Sequence, residues 1–358
     1  MNWAPESGTS PPAFDEAAFL AALAPVLGDL LGGDGRVRVT DRMAGNINLV
    51  LKLAYGERVL GARVAVNAHR FRYEAGIVKE VFAGRLLACG GGRPGDARLR
   101  RIVDAVLARP VGSLADRHWF RPILWYDWSH RVVPHSFFVF DWVEGEPLWR
   151  RPSAERYAQA GRDLAGLHRL AFDHFYEDIC AIHRRPLGWA ERFHAAWSKE
   201  LAEAAPRLPA ALAGRLAAFD SATLVPGAPC LVHNDYTGGN LLVEPGGRLC
   251  PIDWDNWVVD CAELDLVKMR YWTAIGPDGM LGHQPDLYAA FRRGYAEAAD
   301  RDVDGGRLMA YERLWLLRIF NFESRRGAGP AESWQAVYPP AATYRRHLAD
   351  LAEQRKDT

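Results

Sequence analysis

The sequence predicts an α+β protein in two lobes: an N-terminal antiparallel sheet with helices, followed by a mostly helical C-terminal part. Three observations carry this. Residues 36–66 hold three runs of strand character broken by turn residues, residues beyond 147 place apolar side chains at helical spacing, and 358 residues suffice for two lobes with a full core. The expected boundaries are 1–140 for the N-terminal lobe, 141–146 for a hinge and 147–358 for the C-terminal lobe.

Each element has its own signal. Residues 14–31 repeat apolar side chains every three to four positions and end at Gly32-Gly33, a helix with its stop. Residues 36–40 alternate, residues 49–53 follow, and the turn Tyr55-Gly56-Glu57 leads into a third run, 59–66, so an antiparallel meander is expected with Gly45 in its first turn. Residues 73–87 read as the next helix. Gly90-Gly91-Gly92-Arg93-Pro94-Gly95 follows a helix and not a strand, so it reads as a surface insertion and not a phosphate loop. Residues 137–145 form an aromatic β-run that ends in polar residues and glycine. Residues 153–170 are amphipathic, with Tyr157, Ala160, Leu164, Leu167 and His168 near one face.

Composition excludes several classes. Hydrophobic residues at 49% and charged residues at 25% are ordinary for a globular chain, and 44 basic residues balance 44 acidic ones. No net field favours nucleic acid or an anionic membrane. Five cysteines without a C-x-x-C pair read as thiols in a reducing cytoplasm, with Cys250 and Cys261 as small core residues. Residues 1–14 read as a disordered arm and not a signal peptide, and no apolar stretch has the ~20 residues of a membrane span. Neither zinc-ligand spacings nor a G-x-S-x-G elbow occurs.

The chemistry concentrates in His233-Asn234-Asp235-Tyr236-Thr237-Gly238-Gly239-Asn240, followed by Ile252-Asp253-Trp254-Asp255. Short apolar runs on both sides, Cys230-Leu231-Val232 and Leu241-Leu242-Val243, read as strands that hold the polar loop. Magnesium takes oxygen ligands and is usually held by one or two carboxylates plus substrate phosphates. Asn240 and Asp253 meet that need, which leaves Asp235 to orient an attacking hydroxyl, the H-x-D-x4-N arrangement of phosphoryl transfer. Turn chemistry alone would explain the loop but not the later Asp. His233 reads as a brace for the backbone.

From Leu231 to Met269 the chain resembles the aminoglycoside phosphotransferase and choline kinase-like family, relatives of protein kinases that phosphorylate small molecules. Asn234 replaces that family's common Gly, and Val259-Asp260-Cys261-Ala262-Glu263-Leu264-Asp265-Leu266 is similar to its G-D-P-x-x-D-L-A, with the Gly and Pro missing. Ile-Asp-Trp in place of Asp-Phe-Gly argues against a protein kinase proper.

The resemblance implies a bilobal protein-kinase-like fold, with ATP as cosubstrate and Mg2+ as metal. It further implies nucleotide binding by Gly45 and Asn48 in a phosphate-covering loop and by Arg63 on the third strand tethered by Glu74, with Arg58 and Glu80 as the alternative pair. Phe140, Asp141 and Val143 would meet the adenine at the hinge. Acceptor contacts are expected from Asp255, Trp257, Asp260, Glu263 and Trp272, and from around 315–323, where carboxylates would suit an amine and aromatics a ring. Glu263 and Asp265 could instead cap the helix that follows. The expected partner is a small-molecule hydroxyl acceptor, an antibiotic of aminoglycoside, amino-sugar or nucleoside type. A metabolic kinase for choline, homoserine or a sugar and a non-catalytic nucleotide-binding regulator are the alternatives.

Overall fold

The computed structural model describes residues 13–33, 36–44, 48–66, 70–87, 93, 95–109, 111–114, 123–176, 188–220, 223–326 and 337–353. They group into two compact units. The first holds the described residues of Met1–Gly90, Ala97–Gly145 and Glu244–Trp257, and the second those of Gly91–Asp96, Glu146–Val243 and Val258–Thr358.

The chain opens with α1 (Glu16–Leu31), β1 (Val37–Ala44), β2 (Asn48–Tyr55), β3 (Arg58–Ala65), α2 (Arg70–Leu87), α3 (Asp96–Leu107), β4 (Val111–Leu114), β5 (Ile123–Asp127) and β6 (Phe137–Asp141). The six strands make one sheet in the order β1-β2-β3-β6-β5-β4, antiparallel throughout. Asp15 caps α1 by accepting the Ala18 amide, and Phe19, Leu23 and Leu27 point one stripe of that helix into the core. They meet Leu51, Leu53, Leu60, Ala62, Val64 and Phe137. Here the alternation read from the sequence is the physical one. Period-two side chains put every second residue of β2 and β3 into this core. On α2, residues Ile77, Val78, Val81, Phe82 and Leu86 are buried.

The chain continues through β7 (Glu146–Pro147), α4 (Ala154–His168), α5 (Trp189–Ala204), α6 (Ala210–Ala217), β8 (Cys230–Val232), β9 (Leu241–Val243), β10 (Leu249–Pro251), β11 (Val258–Asp260), α7 (Glu263–Tyr271), β12 (Ala274–Ile275), β13 (Leu281–Gly282), α8 (Pro285–Ala298), α9 (Gly305–Arg326) and α10 (Ala341–Glu353). Of these, β10 falls in the first unit. Among its described residues the second unit is therefore helical around three short antiparallel pairs, β8 with β11, β7 with β9 and β12 with β13. Ser153 caps α4, whose Tyr157, Ala160, Leu164, Leu167 and His168 form the buried face expected of it. Helix α7 is different: Glu263, Leu264, Asp265, Leu266, Val267, Met269 and Tyr271 are all buried. A helix enclosed on every side shows no apolar stripe, and this one carries charges inward.

Candidate active site

In the second unit the loop between β8 and β9 holds residues 233–240. β8 is buried at all three positions and pairs with β11, Leu231 opposite Val259. On leaving it, Asn234 takes a left-handed backbone conformation, φ 62°. Glycine adopts that region freely and asparagine tolerates it, whereas β-branched residues do not. This is the physical reason that Asn can stand at the position where the resembling family commonly has Gly. The amides of His233 and Asn234 donate to Asp265 Oδ2 and Oδ1 at 2.7 and 2.6 Å, and buried His168 reaches the same carboxylate at 3.2 Å. Asp265, on α7, thus anchors the loop. Asn234→Val should cost about 1–2 kcal/mol in urea denaturation, and Asn234→Gly far less. Equal losses would rule out this backbone account.

One residue on, Asp235 Oδ1 accepts from Lys268 Nζ at 2.8 Å and Oδ2 accepts from Asn240 Nδ2 at 3.0 Å. Asn240 Nδ2 also donates to the Asp235 carbonyl at 2.9 Å, and Lys268 to the Asn234 carbonyl at 2.6 Å. The Asn240 amide nitrogen therefore faces the aspartate and its oxygen is turned elsewhere, the orientation a hard cation needs. Gly239 makes room for the loop to pass: a Cβ there would lie 2.6 Å from the Trp149 ring. Burial works against ionisation of Asp235, but the Lys268 ammonium beside it outweighs that and holds the carboxyl below its ordinary range. A carboxylate ionised at neutral pH and held on two sides can accept a proton from a hydroxyl.

This gives a pH prediction. Lys268→Met removes the charge that depresses the Asp235 pKa, so the acid limb of the turnover profile should move to higher pH. Stability shifts in the same sense. The wild-type Asp235–Lys268 pair contributes above the ordinary carboxylate pKa and is lost as pH falls through the lowered folded value. A pH–rate profile and a pH series of melting curves test both, and an acid limb unchanged in the variant would refute the coupling.

The first unit carries a second polar cluster, centred on Arg63 of β3. Its Nη1 lies 2.5 Å from Glu80 Oε1 and 2.8 Å from Asp253 Oδ1, and its Nη2 lies 2.8 Å from Asp255 Oδ2. With its amide oxygen turned to the guanidinium, Asn48 at the start of β2 accepts from Arg63 Nη2 at 2.6 Å and Nε at 2.9 Å. Glu80, on α2, also accepts the Trp254 amide at 3.0 Å. Asp253 has φ 64° and stands at the N-cap of the 3-10 turn Trp254–Asn256, which lets two carboxylates two positions apart reach the same guanidinium. Burial disfavours the charged Arg63, but Asp253, Asp255 and Glu80 together hold its pKa above the ordinary value. Three carboxylates around one guanidinium leave negative charge in excess, and Asp253, 37% exposed, is the one that could also turn to a divalent cation, although among the described residues no group of three such side chains is placed to hold a metal ion.

The other expected site residues fall as follows. Glu74 lies on α2, which begins at Arg70, one turn earlier than expected; its side chain and Gly45 lie outside the described residues. Arg58 pairs with Asp141 at 2.7 Å, not with Glu80. Phe140 is buried with its ring across Gly61, where a Cβ would stand 2.1 Å from it. Beyond β6 the Trp142 amide donates to the Val59 carbonyl, and among the described residues no such partner is found for the Val143 amide.

Each of the expected acceptor contacts has a partner within the protein. Asp255 belongs to the Arg63 cluster. Trp257 is buried and donates to the Lys79 carbonyl at 2.7 Å, and Trp272 is buried and donates to the Tyr344 hydroxyl at 2.9 Å. Glu263 accepts from Arg307 Nη2 at 2.9 Å and from the Asp304 amide at 3.0 Å. Neither it nor Asp265 caps its own helix, whose N-cap Ala262 has no side-chain bond. Asp260 Oδ1 accepts from Trp189 Nε1 at 3.0 Å, the Tyr311 hydroxyl at 2.6 Å and the Cys261 amide at 2.8 Å. Lys268 escaped the sequence reading altogether. Its one signal is a basic residue inside the apolar run Leu266-Val267-Lys268-Met269.

An antiparallel six-stranded unit, a helical unit, and a loop aspartate held by lysine and asparagine define a phosphotransferase of kinase-like fold. The chain belongs to the phosphotransferase enzyme family (APH), whose sequence model matches residues 105–307, more than half of its length. A solved protein of Ralstonia eutropha JMP134, provisionally described as an aminoglycoside phosphotransferase, is similar with a TM-score of 0.61 at 18% identity over 95% of this chain and 96% of that one. Aminoglycoside phosphotransferase APH(4)-Ia is similar at 0.55 and 14% identity, over 93% and 98%. A thermostable mutant of it has been solved with AMP-PNP and hygromycin B. Macrolide 2′-phosphotransferase MphH of Brachybacterium faecium follows at 0.52 and 16%, over 93% and 97%. At these identities the likeness shows the fold. No curated protein matches the sequence. Among the described residues no helix is long and apolar enough to cross a membrane.

Proposed function

We propose that this protein transfers the γ-phosphoryl group of ATP to a hydroxyl of a small molecule. The observation that carries the reading is Asp235, ionised and held at once by Lys268 and Asn240. Asn240 and Asp253 are the residues that would hold magnesium, which when bound offsets the charge of the phosphate oxygens. Asp235 accepts a hydrogen bond from the acceptor hydroxyl and takes its proton as the new O–P bond forms and ADP leaves. Lys268, already on Asp235 Oδ1, keeps the base ionised until then. Asn48, Glu80, Asp253 and Asp255 hold the donors of the Arg63 guanidinium, the expected phosphate ligand, so a phosphate oxygen would have to take the place of one of them, as when Asp253 turns to the metal. Residues 141–146 serve as the hinge, and the Val143 amide is the donor for the adenine edge. Such transfer depends mainly on positioning and charge, so small displacements of these groups matter more than nucleophile strength.

The test is transfer from ATP labelled at its γ-phosphate, with Mg2+, to a pooled panel of antibiotics, amino sugars, nucleosides and small alcohols. A labelled product that disappears in Asp235→Asn supports the reading. Failure to bind Mg·ATP at all would overturn it. The names of APH(4)-Ia and MphH make hygromycin B and a macrolide reasonable members of the panel.

A further inference from the structure

Within the second unit, beside the Asp235 loop, lies a pocket of about 100 Å³. Asn234 borders it, and its walls come from α5, β11, α7 and α9, with Trp189, Arg192, Phe193, Asp260 and Tyr311 prominent. Trp189 and Phe193 stack at 5.3 Å, and Tyr311 meets each ring edge-on, at 6.1 and 5.6 Å. The space equals roughly three water molecules, enough for a compact polar group set against aromatic walls.

Its charge is opposite to what an amine would need. The Asp260 carboxylate is already engaged: Oδ1 takes three hydrogen bonds, from Trp189, Tyr311 and the Cys261 amide, and Oδ2 lies 3.5 Å from Arg192 Nη2. The Arg192 side chain, by contrast, is only 11% exposed, and its Nε and Nη2 have no hydrogen-bond acceptor among the described residues. The face of its guanidinium rests on Phe175 at 5.6 Å, and the donors left without acceptors are themselves enclosed, so a ligand would reach them through a shift of this side chain into the pocket it lines. A second guanidinium, Arg318, also lines the pocket and has Glu200 3.6 Å away. Buried donors without acceptors are costly, and a carboxylate or phosphate on the ligand would satisfy them with charge-assisted bonds.

We propose that this pocket is the part of the acceptor site that receives the anionic group, carboxylate or phosphate, of a small hydroxyl compound whose flat or apolar body lies outside it. This rests on the phosphotransferase reading and narrows it, since a polycationic aminoglycoside would meet two arginines and an aspartate whose oxygens are already engaged.

The test is calorimetric titration of the full-length protein with phenyllactate, phenyl phosphate, phenyllactamide, phenylalaninol and hygromycin B, together with γ-phosphoryl transfer to those that carry an alcohol. The two anions should bind about tenfold or more tighter than the neutral and cationic probes, and their ranking separates a carboxylate site from a phosphate site. Arg192→Met should remove the preference while Mg·ATP binding persists, and Arg192→Lys should restore part of it, which a merely unfolded variant would not do. Equal or tighter binding of phenylalaninol or hygromycin B, or a preference that survives Arg192→Met, overturns the proposal. Anion preference without transfer to any alcohol or to the wider panel would leave the pocket standing and count against the phosphotransferase reading instead.

Discussion

Asp235→Asn is expected to lower turnover by about a hundredfold or more while ATP affinity is retained. The substitution keeps the shape of the side chain and so keeps the loop, whose path is set by Asp265 and by the left-handed Asn234. It removes the charge and the ability to take a proton. In the wild type both Asp235 oxygens accept, from Lys268 at 2.8 Å and from Asn240 at 3.0 Å. The variant presents an NH2 group to one of two donors, so some displacement of Lys268 or Asn240 is expected as well. A fall in turnover with unchanged nucleotide affinity is the signature of an interaction made in the transition state. Near-normal turnover in the variant would sink the role of Asp235 as base.

The second large effect is expected at Asp253. Asp253→Asn should weaken magnesium-dependent nucleotide binding by about a hundredfold or more, because a hard divalent cation loses its carboxylate ligand. Asn is the better probe than Ala here, since residue 253 sits at φ 64° and asparagine accepts that conformation. The exchange also takes one of three carboxylates from around Arg63, leaving Glu80 and Asp255 to balance it, so the fold should persist. Titration of a fluorescent ATP analogue with and without Mg2+ separates the outcomes. If the affinity with Mg2+ is unchanged, Asp253 is not a ligand.

How legible all this was in the sequence differs residue by residue. Asp235 and Asn240 stand five positions apart in one loop between two short strands, and their bond at 3.0 Å is close to a local consequence of the chain. The alternation of β2 and β3 was equally readable, since one buried face imposes period two. Helix α3 was readable but went unread: Leu99, Val103 and Val106 recur at helical spacing and are buried. The partner of Arg63 was a harder case. The order of strand and helix called for an acidic residue on α2, but only the packing of that helix brings Glu80 within 2.5 Å.

By itself, the sequence determined the α+β class and the strand-rich beginning and helical remainder, and it marked Asp235, Asn240 and Asp253 as candidates, because these depend on patterns a few residues long. The tertiary structure alone decided what those residues touch. Lys268 reaches Asp235 from 33 positions along the chain, and Asp255 reaches Arg63 from 192. It also decided that Asp260, Glu263 and Asp265 serve the protein's own donors and that Arg192 has buried donors without acceptors among the described residues. The physical reason is that an ionisable side chain takes its meaning from its neighbours: burial and opposing charge set whether it is a base, a brace or a binding group. Those neighbours come from helices such as α7 and α9, which are buried on several faces and so leave no periodic trace of which side meets which.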